Sequence, residues 1–180
     1  MDGHKIIAVG RKTLPRYLEG LCDVLCSAVE AGASISFVMP HTLADSRRFW
    51  LETICPGLNS DSRVLLVATV GDAVAGTVQL DCDLPPNQPH RAEILKLIVH
   101  PAFRRKGIAR ALMVEIEAVA SERGKSLLTL DTASAEAERL YLSLGFVRAG
   151  VIPGFARDPI EDRLEPTTIM YKQLAAAGLS

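Results

Sequence analysis

No apolar run in this sequence is long enough to cross a bilayer, and no N-terminal stretch resembles a signal peptide. The expectation is a cytoplasmic protein without a membrane partner. An excess of charge is missing too: 20 Lys and Arg against 21 Asp and Glu leave a net charge of -1. A general nucleic-acid or membrane-surface role therefore has no electrostatic support, and no nucleic-acid partner is expected. Cysteine pairs at short spacing are absent. Cys22 and Cys26 stand one helical turn apart, but neither Cys55, Cys82 nor the dispersed His4, His41, His90 and His100 completes a ligand set. Reduced core thiols and no metal are expected. The phosphate loop Gly-x-x-x-x-Gly-Lys-Ser/Thr does not occur. Linkers and internal repeats are lacking as well, which leaves a single domain over residues 1–180 whose tail, Ala175–Ser180, should fray.

What is present is a soluble globular balance, 48% apolar and 23% charged, with clear alternation of strand and helix signals. Ile6–Val9 reads as a strand and Leu14 to Ala31 as a helix with Leu18, Leu21, Leu25 and Val29 on one face. After the irregular Ser34–Pro40 a second helix is expected over Ala44–Ile54, stopping before Pro56-Gly57. Ser62–Val70 and Ala73–Asp81 form a hairpin at Gly71-Asp72. A proline-rich loop leads to a strand over Glu93–Val99, a helix from Gly107 to Gly124, a short strand Leu127–Asp131, and a helix Ser134–Leu144 closed by Gly145. Phe146–Val151 and Thr167–Leu174 are the closing strands, with Pro153–Pro166 as a polar loop. The fold class is α/β: one mixed, mostly antiparallel central sheet of about seven strands flanked by about four helices.

The densest chemistry lies between Glu93 and Arg110. A branched apolar strand is broken by Pro101, turns through Arg104, Arg105, Lys106 and Gly107, and enters a helix. The first amides of a helix lack internal partners and sit at its positive end, so this junction is built like an anion cradle. Gly107 has no side chain to keep a phosphate away from the backbone. An ordinary helix start with a solvated basic run would carry the same residues.

The spacing Arg104-x-x-Gly107-x-Ala109, directly after Leu97-x-Val99-x-Pro101, resembles the acyl-CoA motif of the GNAT N-acetyltransferase superfamily. The segment Ala137-x-x-x-Tyr141-x-x-x-Gly145-Phe146 is similar to that family's second motif. The resemblance implies acetyl-CoA as cosubstrate, held along Leu97, Ile98 and Val99, with the Leu97 amide at the acetyl carbonyl. It implies pyrophosphate binding by amides from Arg104 to Ala109, through Arg105, Lys106, Gly107 and Ile108, with Arg105, Lys106 or Arg110 near the remaining phosphates. Ser134 stands where the family often has Asn, and would contact the pantetheine or adenylate differently. The resemblance further implies that the strands at Glu93–Val99 and Leu127–Asp131 splay to admit the pantetheine arm. The first helix pair and its connection would wall the acceptor pocket.

Chemistry adds three candidate catalytic residues. Tyr141 would, as the resemblance implies, give a proton to the leaving thiolate; a phenol with pKa about 10 has little driving force toward a thiol near 8.5, so positioning must carry the step. The same tyrosine could simply pack its ring in the core. Glu93, at the offset from the Arg-x-x-Gly motif where the resemblance implies a general base, and Asp131 are the candidate amine-binding and base groups. An alkylamine with pKa near 10.4 needs about 4.6 kcal/mol for deprotonation at pH 7, and two carboxylates in one pocket would hold the ammonium while raising one of their own pKa values. Regular alternation puts Glu93, Leu95, Leu97 and Val99 on one face, with Glu93 about 13 Å before the acetyl site unless a bulge intervenes. A strand-end salt bridge for Glu93, with Arg91 or Lys96, and a helix-start carboxylate for Asp131 are the plainer alternatives.

Beyond these motifs, Gly32-Ala33-Ser34 with Phe37, Arg91-Ala92-Glu93, Lys96-Leu97, Leu130-Asp131-Thr132, Pro153-Gly154-Phe155, Arg163-Leu164 and Pro166-Thr167 look like the tabtoxin-resistance acetyltransferases. The expected activity is direct acetyl transfer to a primary amine of a small molecule, an amino-acid-like toxin or metabolite. Protein or peptide N-acetylation and a non-catalytic acyl-CoA-binding module remain alternatives. A homodimer stays open, since oligomeric state leaves no mark here.

Overall fold

The computed structural model describes residues 3–60 and 62–175. Its strands are β1 (His4–Ala8), β2 (Arg63–Val70), β3 (Ala73–Asp81), β4 (Arg91–Val99), β5 (Leu127–Thr132), β6 (Val147–Arg157) and β7 (Leu164–Gln173). They form one sheet in the order β1-β2-β3-β4-β5-β7-β6, with β4 and β5 parallel and every other neighbour antiparallel. This is the mixed, mostly antiparallel seven-stranded sheet expected. Residues 176–180, most of the tail expected to fray, lie outside the described residues.

The helices are α1 (Leu14–Glu30), α2 (Leu43–Arg48), α3 (Cys55–Asn59), α4 (Ile108–Glu122) and α5 (Ala135–Ser143), with a π-helical turn, Phe49–Ile54, joining α2 to α3. The sheet is covered on both faces, which is why β2 and β3 read as continuous apolar runs. One core cluster joins Leu21 and Leu25 of α1 to Trp50, Leu65 and Val67. The other joins Leu112 and Ile116 of α4 to Leu66, Val78, Leu128 and Met170. The Gly71-Asp72 hairpin forms as read: Val70 faces Ala73 directly and Gly71 takes φ +57°.

Two boundaries differ from expectation. The second helical segment does not stop before Pro56 but continues to Asn59: a π-helical turn, in which Cys55 N–H donates to the Trp50 carbonyl, runs directly into α3 with Pro56 near its start. The stretch from Pro153 to Pro166 is not one loop: β6 runs on to Arg157 and β7 begins at Leu164. Pro153 sits in a register shift between Ile152 and Ala156 on the edge strand, and Pro166 lies beyond the last β5–β7 pair, Thr132 with Thr168. Neither proline removes a ladder bond that a partner needs.

The decisive irregularity is in β4. Ile98 faces Thr77 and Leu95 faces Gln79, so Lys96 and Leu97 together oppose Val78 alone. This is a bulge, with Lys96 in the left-handed region at φ +51°. It reverses the alternation: Ala92 and Ile94 join the α4 cluster before the bulge, whereas Ile98 joins the α1 cluster after it. Glu93 therefore does not share a face with Leu97, as uninterrupted alternation would require. On the other edge of β4, pairing with β5 covers only Arg91 to Glu93, after which the strands part.

Close packing at Gly76 of β3 supports the end of β4. A Cβ there would stand 2.7 Å from the Ile98 carbonyl oxygen and 3.4 Å from Cγ2 of Ile108, the first residue of α4. We expect Gly76→Ala to destabilise the protein by about 1–3 kcal/mol through overpacking. It should also weaken binding at the start of α4; a thermal melt and acetyl-CoA titration check both effects.

Candidate active site

A cleft of about 800 Å³ opens where β4 and β5 diverge. One end is the basic junction. A 3-10 turn, Pro101–Phe103, leads into Arg105 at φ +62° and Gly107 at φ +77°, and Gly107 caps α4 without any side-chain hydrogen bond. A Cβ built on Gly107 meets nothing within 4 Å, so the space before the uncapped amides of α4 is open. Arg104, Arg105, Gly107, Ile108, Ala109 and Arg110 line the cleft, whereas Lys106 does not; its Nζ lies 5.2 Å from the Phe103 ring centre. Arg110 donates to Ser143 Oγ at 2.7 Å, which ties the junction to α5. Open glycine, helix start and three lining arginines fit a polyphosphate tail.

Leu97, Ile98 and Val99 line the middle of the cleft, where β4 has no β5 partner. Ser134 lines it as well, but its Oγ accepts the Ala137 N–H at 3.2 Å as the N-cap of α5. That bond gives Ser134 a local helix-capping task which the spacing alone did not single out. Tyr141 is 5% exposed, lines the cleft and packs against Phe146 with ring centres 5.8 Å apart. Burial pushes its phenol well above the ordinary tyrosine value, and the charge of Asp131 adds to the rise.

The two candidate acids end up in different places. Asp131 lines the cleft and accepts Thr167 Oγ1 at 2.8 Å. Glu93 does not line it: its carboxylate lies 3.9 Å from Arg91 and its backbone pairs with Asp81 on one side and Thr129 on the other. Because Asp131 follows Thr129 by two residues, Glu93 and Asp131 still share a face of the sheet. Burial raises the Glu93 carboxyl, Arg91 opposes the rise, and Asp131 and Asp81 add to it.

Several lining residues escaped the sequence reading. Lys96, turned by the bulge, donates from Nζ to Ser36 Oγ at 2.7 Å, and Asp158, Arg163 and Glu165 approach from the β6–β7 hairpin. No periodic signal marks a bulge or says which hairpin folds over a cleft. The helix pair expected to wall the acceptor pocket contributes only partly. Ala28 and Ala31 at the end of α1 and the following residues 32–36 line the cleft, but none of the described residues of 43–59 does. The connection is joined to the far hairpin by Met39 N–H, which donates to the Pro159 carbonyl at 2.8 Å.

A parted parallel strand pair, an uncapped basic helix start behind it and a buried phenol in the gap are the arrangement that the resemblance to acyl-CoA-dependent acyltransferases implied. Residues 61–148 match the family described as an acetyltransferase (GNAT) domain. An uncharacterized N-acetyltransferase from the hisH-hisA intergenic region of Azospirillum brasilense is 31% identical over 121 residues, spanning 66% of this chain and 70% of that protein. The ribosomal-protein-alanine N-acetyltransferase from Brucella melitensis is 26% identical, with a TM-score of 0.73 over 94% of this chain and 99% of that one. An acetyltransferase structure from Salmonella typhimurium with its cofactor acetyl-CoA shares the fold, with 19% identity and a TM-score of 0.76 over 98% of this chain and 96% of that one. The chain belongs to the GNAT acetyltransferase family and is an acetyl-CoA-dependent N-acetyltransferase. This sets aside the non-catalytic module. Among the described residues no helix is long and apolar enough to cross a membrane.

Proposed function

We propose that this enzyme, acting as one domain, transfers acetyl directly from acetyl-CoA to the primary amine of a small, amino-acid-like molecule bound beside it. The observation that carries the reading is the position of Asp131. Bonded to Thr167 on the cleft wall, it exerts its charge on Tyr141 and Lys96, which also line the cleft, and on Glu93 behind it. Asp131 holds the incoming ammonium. Glu93, raised by burial toward neutrality, takes the proton through water, since it stands back from the cleft wall. Tyr141, kept protonated, supplies a hydrogen bond and then a proton to the departing thiolate. Arg104, Arg105 and Arg110, with the amides that follow Gly107, hold the phosphates; Lys106 acts at longer range. The Leu97 amide orients the acetyl carbonyl, and Ile98 and Val99 offer the pantetheine arm an unpaired strand edge.

The bridge from Met39 to Pro159 favours a covered pocket and a small acceptor. The segments around Glu93 and Asp131 that resemble the tabtoxin-resistance acetyltransferases make an amino-acid-like toxin one acceptor to try. The likeness to a ribosomal-protein-alanine N-acetyltransferase supports the second reading, in which the amine is a protein N-terminus. A thiol-release assay over free amines and short peptides decides between them: turnover of free amines supports the first reading, and turnover of peptides alone overturns it.

Glu93 provides an independent check. A carboxyl whose folded pKa lies above its unfolded value destabilises the fold at neutral pH, and that penalty disappears as pH falls below the unfolded value near 4.3. Glu93→Gln should therefore melt no lower than the parent at pH 7, lose any advantage near pH 4, and show reduced kcat/KM with a flattened acidic limb. A protein that melts lower at pH 7 with undiminished kcat/KM would make Glu93 a structural partner of Arg91.

A further inference from the structure

Two cations line the acceptor side of the cleft, and their surroundings are opposite in kind. Arg163 is surrounded by carboxylates, at 3.4 Å from Asp158, 3.2 Å from Glu161 and 2.7 Å from Glu165. Lys96 has no such partner: among the described residues no carboxylate forms an ion pair with it, and its Nζ reaches only Ser36 Oγ at 2.7 Å and the Phe37 ring at 5.8 Å. An ammonium has three donors, so two remain for something else. Partial burial lowers the Lys96 pKa, with Arg63 acting in the same direction and Asp131 against it, as expected for a cation short of an anion.

The backbone shows that this placement is specific. Lys96 occupies a left-handed conformation on the β4 bulge, a region that favours glycine and that a lysine enters only under constraint. Regular alternation would have set Lys96 on the face of Ile94, toward the α4 core. The bulge instead brings it against the 32–36 connection at the cleft wall. Asp131 stands on the opposite strand, beyond ion-pair reach but near enough for its charge to act on the ammonium. A fixed anion and an unpartnered cation that line one cleft match a ligand that carries both charges.

We propose that Lys96 is a specificity-determining residue that binds an anionic group of the acceptor, so that the natural substrate is an amino acid or similar zwitterion with its amine at Asp131 and its carboxylate at Lys96. This rests on the small-amine reading above. Ser36 holds the Lys96 side chain in place, and Phe37 shields one side of the charge.

The test compares matched acceptors, α-amino acids and their decarboxylated amines (lysine with cadaverine, leucine with isoamylamine), using acetyl-CoA and thiol release. The parent should prefer the carboxylated member of a pair. Lys96→Met should reduce the ratio of kcat/KM for carboxylated over decarboxylated acceptor by about 10- to 100-fold, the loss expected for one hydrogen-bonded charge pair, and mainly through KM. Lys96→Asn, which tolerates the left-handed backbone, should behave like Lys96→Met, and Lys96→Arg should recover part of the preference. If the parent acetylates amines but shows no preference, or the preference survives both neutral variants, or both members of a pair fall together, the Lys96 assignment is wrong while the small-amine reading stands. If the parent acetylates no free amine of either kind, both fall.

Discussion

Gly107→Asp should weaken acetyl-CoA binding by about 100-fold or more while leaving the fold intact, as read by calorimetry alongside a thermal melt. Aspartate tolerates the left-handed region better than most residues and is a good helix N-cap, so φ +77° at this position does not forbid it. A Cβ at this position meets nothing within 4 Å. The new side chain would, however, place a carboxylate over the amides of α4 that the phosphates are proposed to use, capping the helix internally and repelling the anion. Retained stability with lost affinity is thus the signature of an anion site. Equal affinity in the variant would locate the nucleotide tail away from this junction, and the reading of the basic loop would fail. Gly107→Ala is less informative, because it strains the backbone and blocks the site together.

The second large effect belongs to Tyr141. Tyr141→Phe keeps the ring, its contact with Phe146 and nearly all of its buried surface, so the fold should be little affected. Turnover should fall by about 100- to 1,000-fold, the usual range for removing a positioned general acid, with acetyl-CoA affinity nearly constant. Because the phenol is raised in the folded protein, it stays protonated through the neutral range and cannot be the group that limits activity at mildly alkaline pH. Above about pH 10 the unfolded chain would release a proton that the folded chain retains, so the parent loses stability relative to Tyr141→Phe as pH rises through that window. Unchanged kcat in Tyr141→Phe would reduce the residue to a core contact.

The parts of this protein legible in its residues are those governed by local or periodic rules. Strand and helix order followed from apolar spacing, the Gly71-Asp72 turn from its dipeptide, and the junction at Gly107 from the juxtaposition of strand, glycine and helix. Tyr141 was legible because its motif spacing puts it one turn from a helix end marked by Gly145. The proline arguments failed where they were applied without context. Pro56 is harmless in a first helical turn, and Pro153 and Pro166 are harmless at a bulge and beyond a paired edge.

Local preference determined which segments would be strands and helices, where the basic strand-to-helix junction lies, and which phenol and carboxylates were candidates for the chemistry. Tertiary structure decided the rest. The bulge at Lys96, where β4 carries one residue more than β3 opposite Val78, reversed the faces of the strand. It separated Glu93 from Leu97 and sent a lysine to the cleft. Which hairpin reaches over the opening, through Pro159 and Arg163, was settled in the same way. Such features arise from contacts between residues far apart in the chain, and a period-2 pattern has no means of recording where one strand is one residue longer than its neighbour.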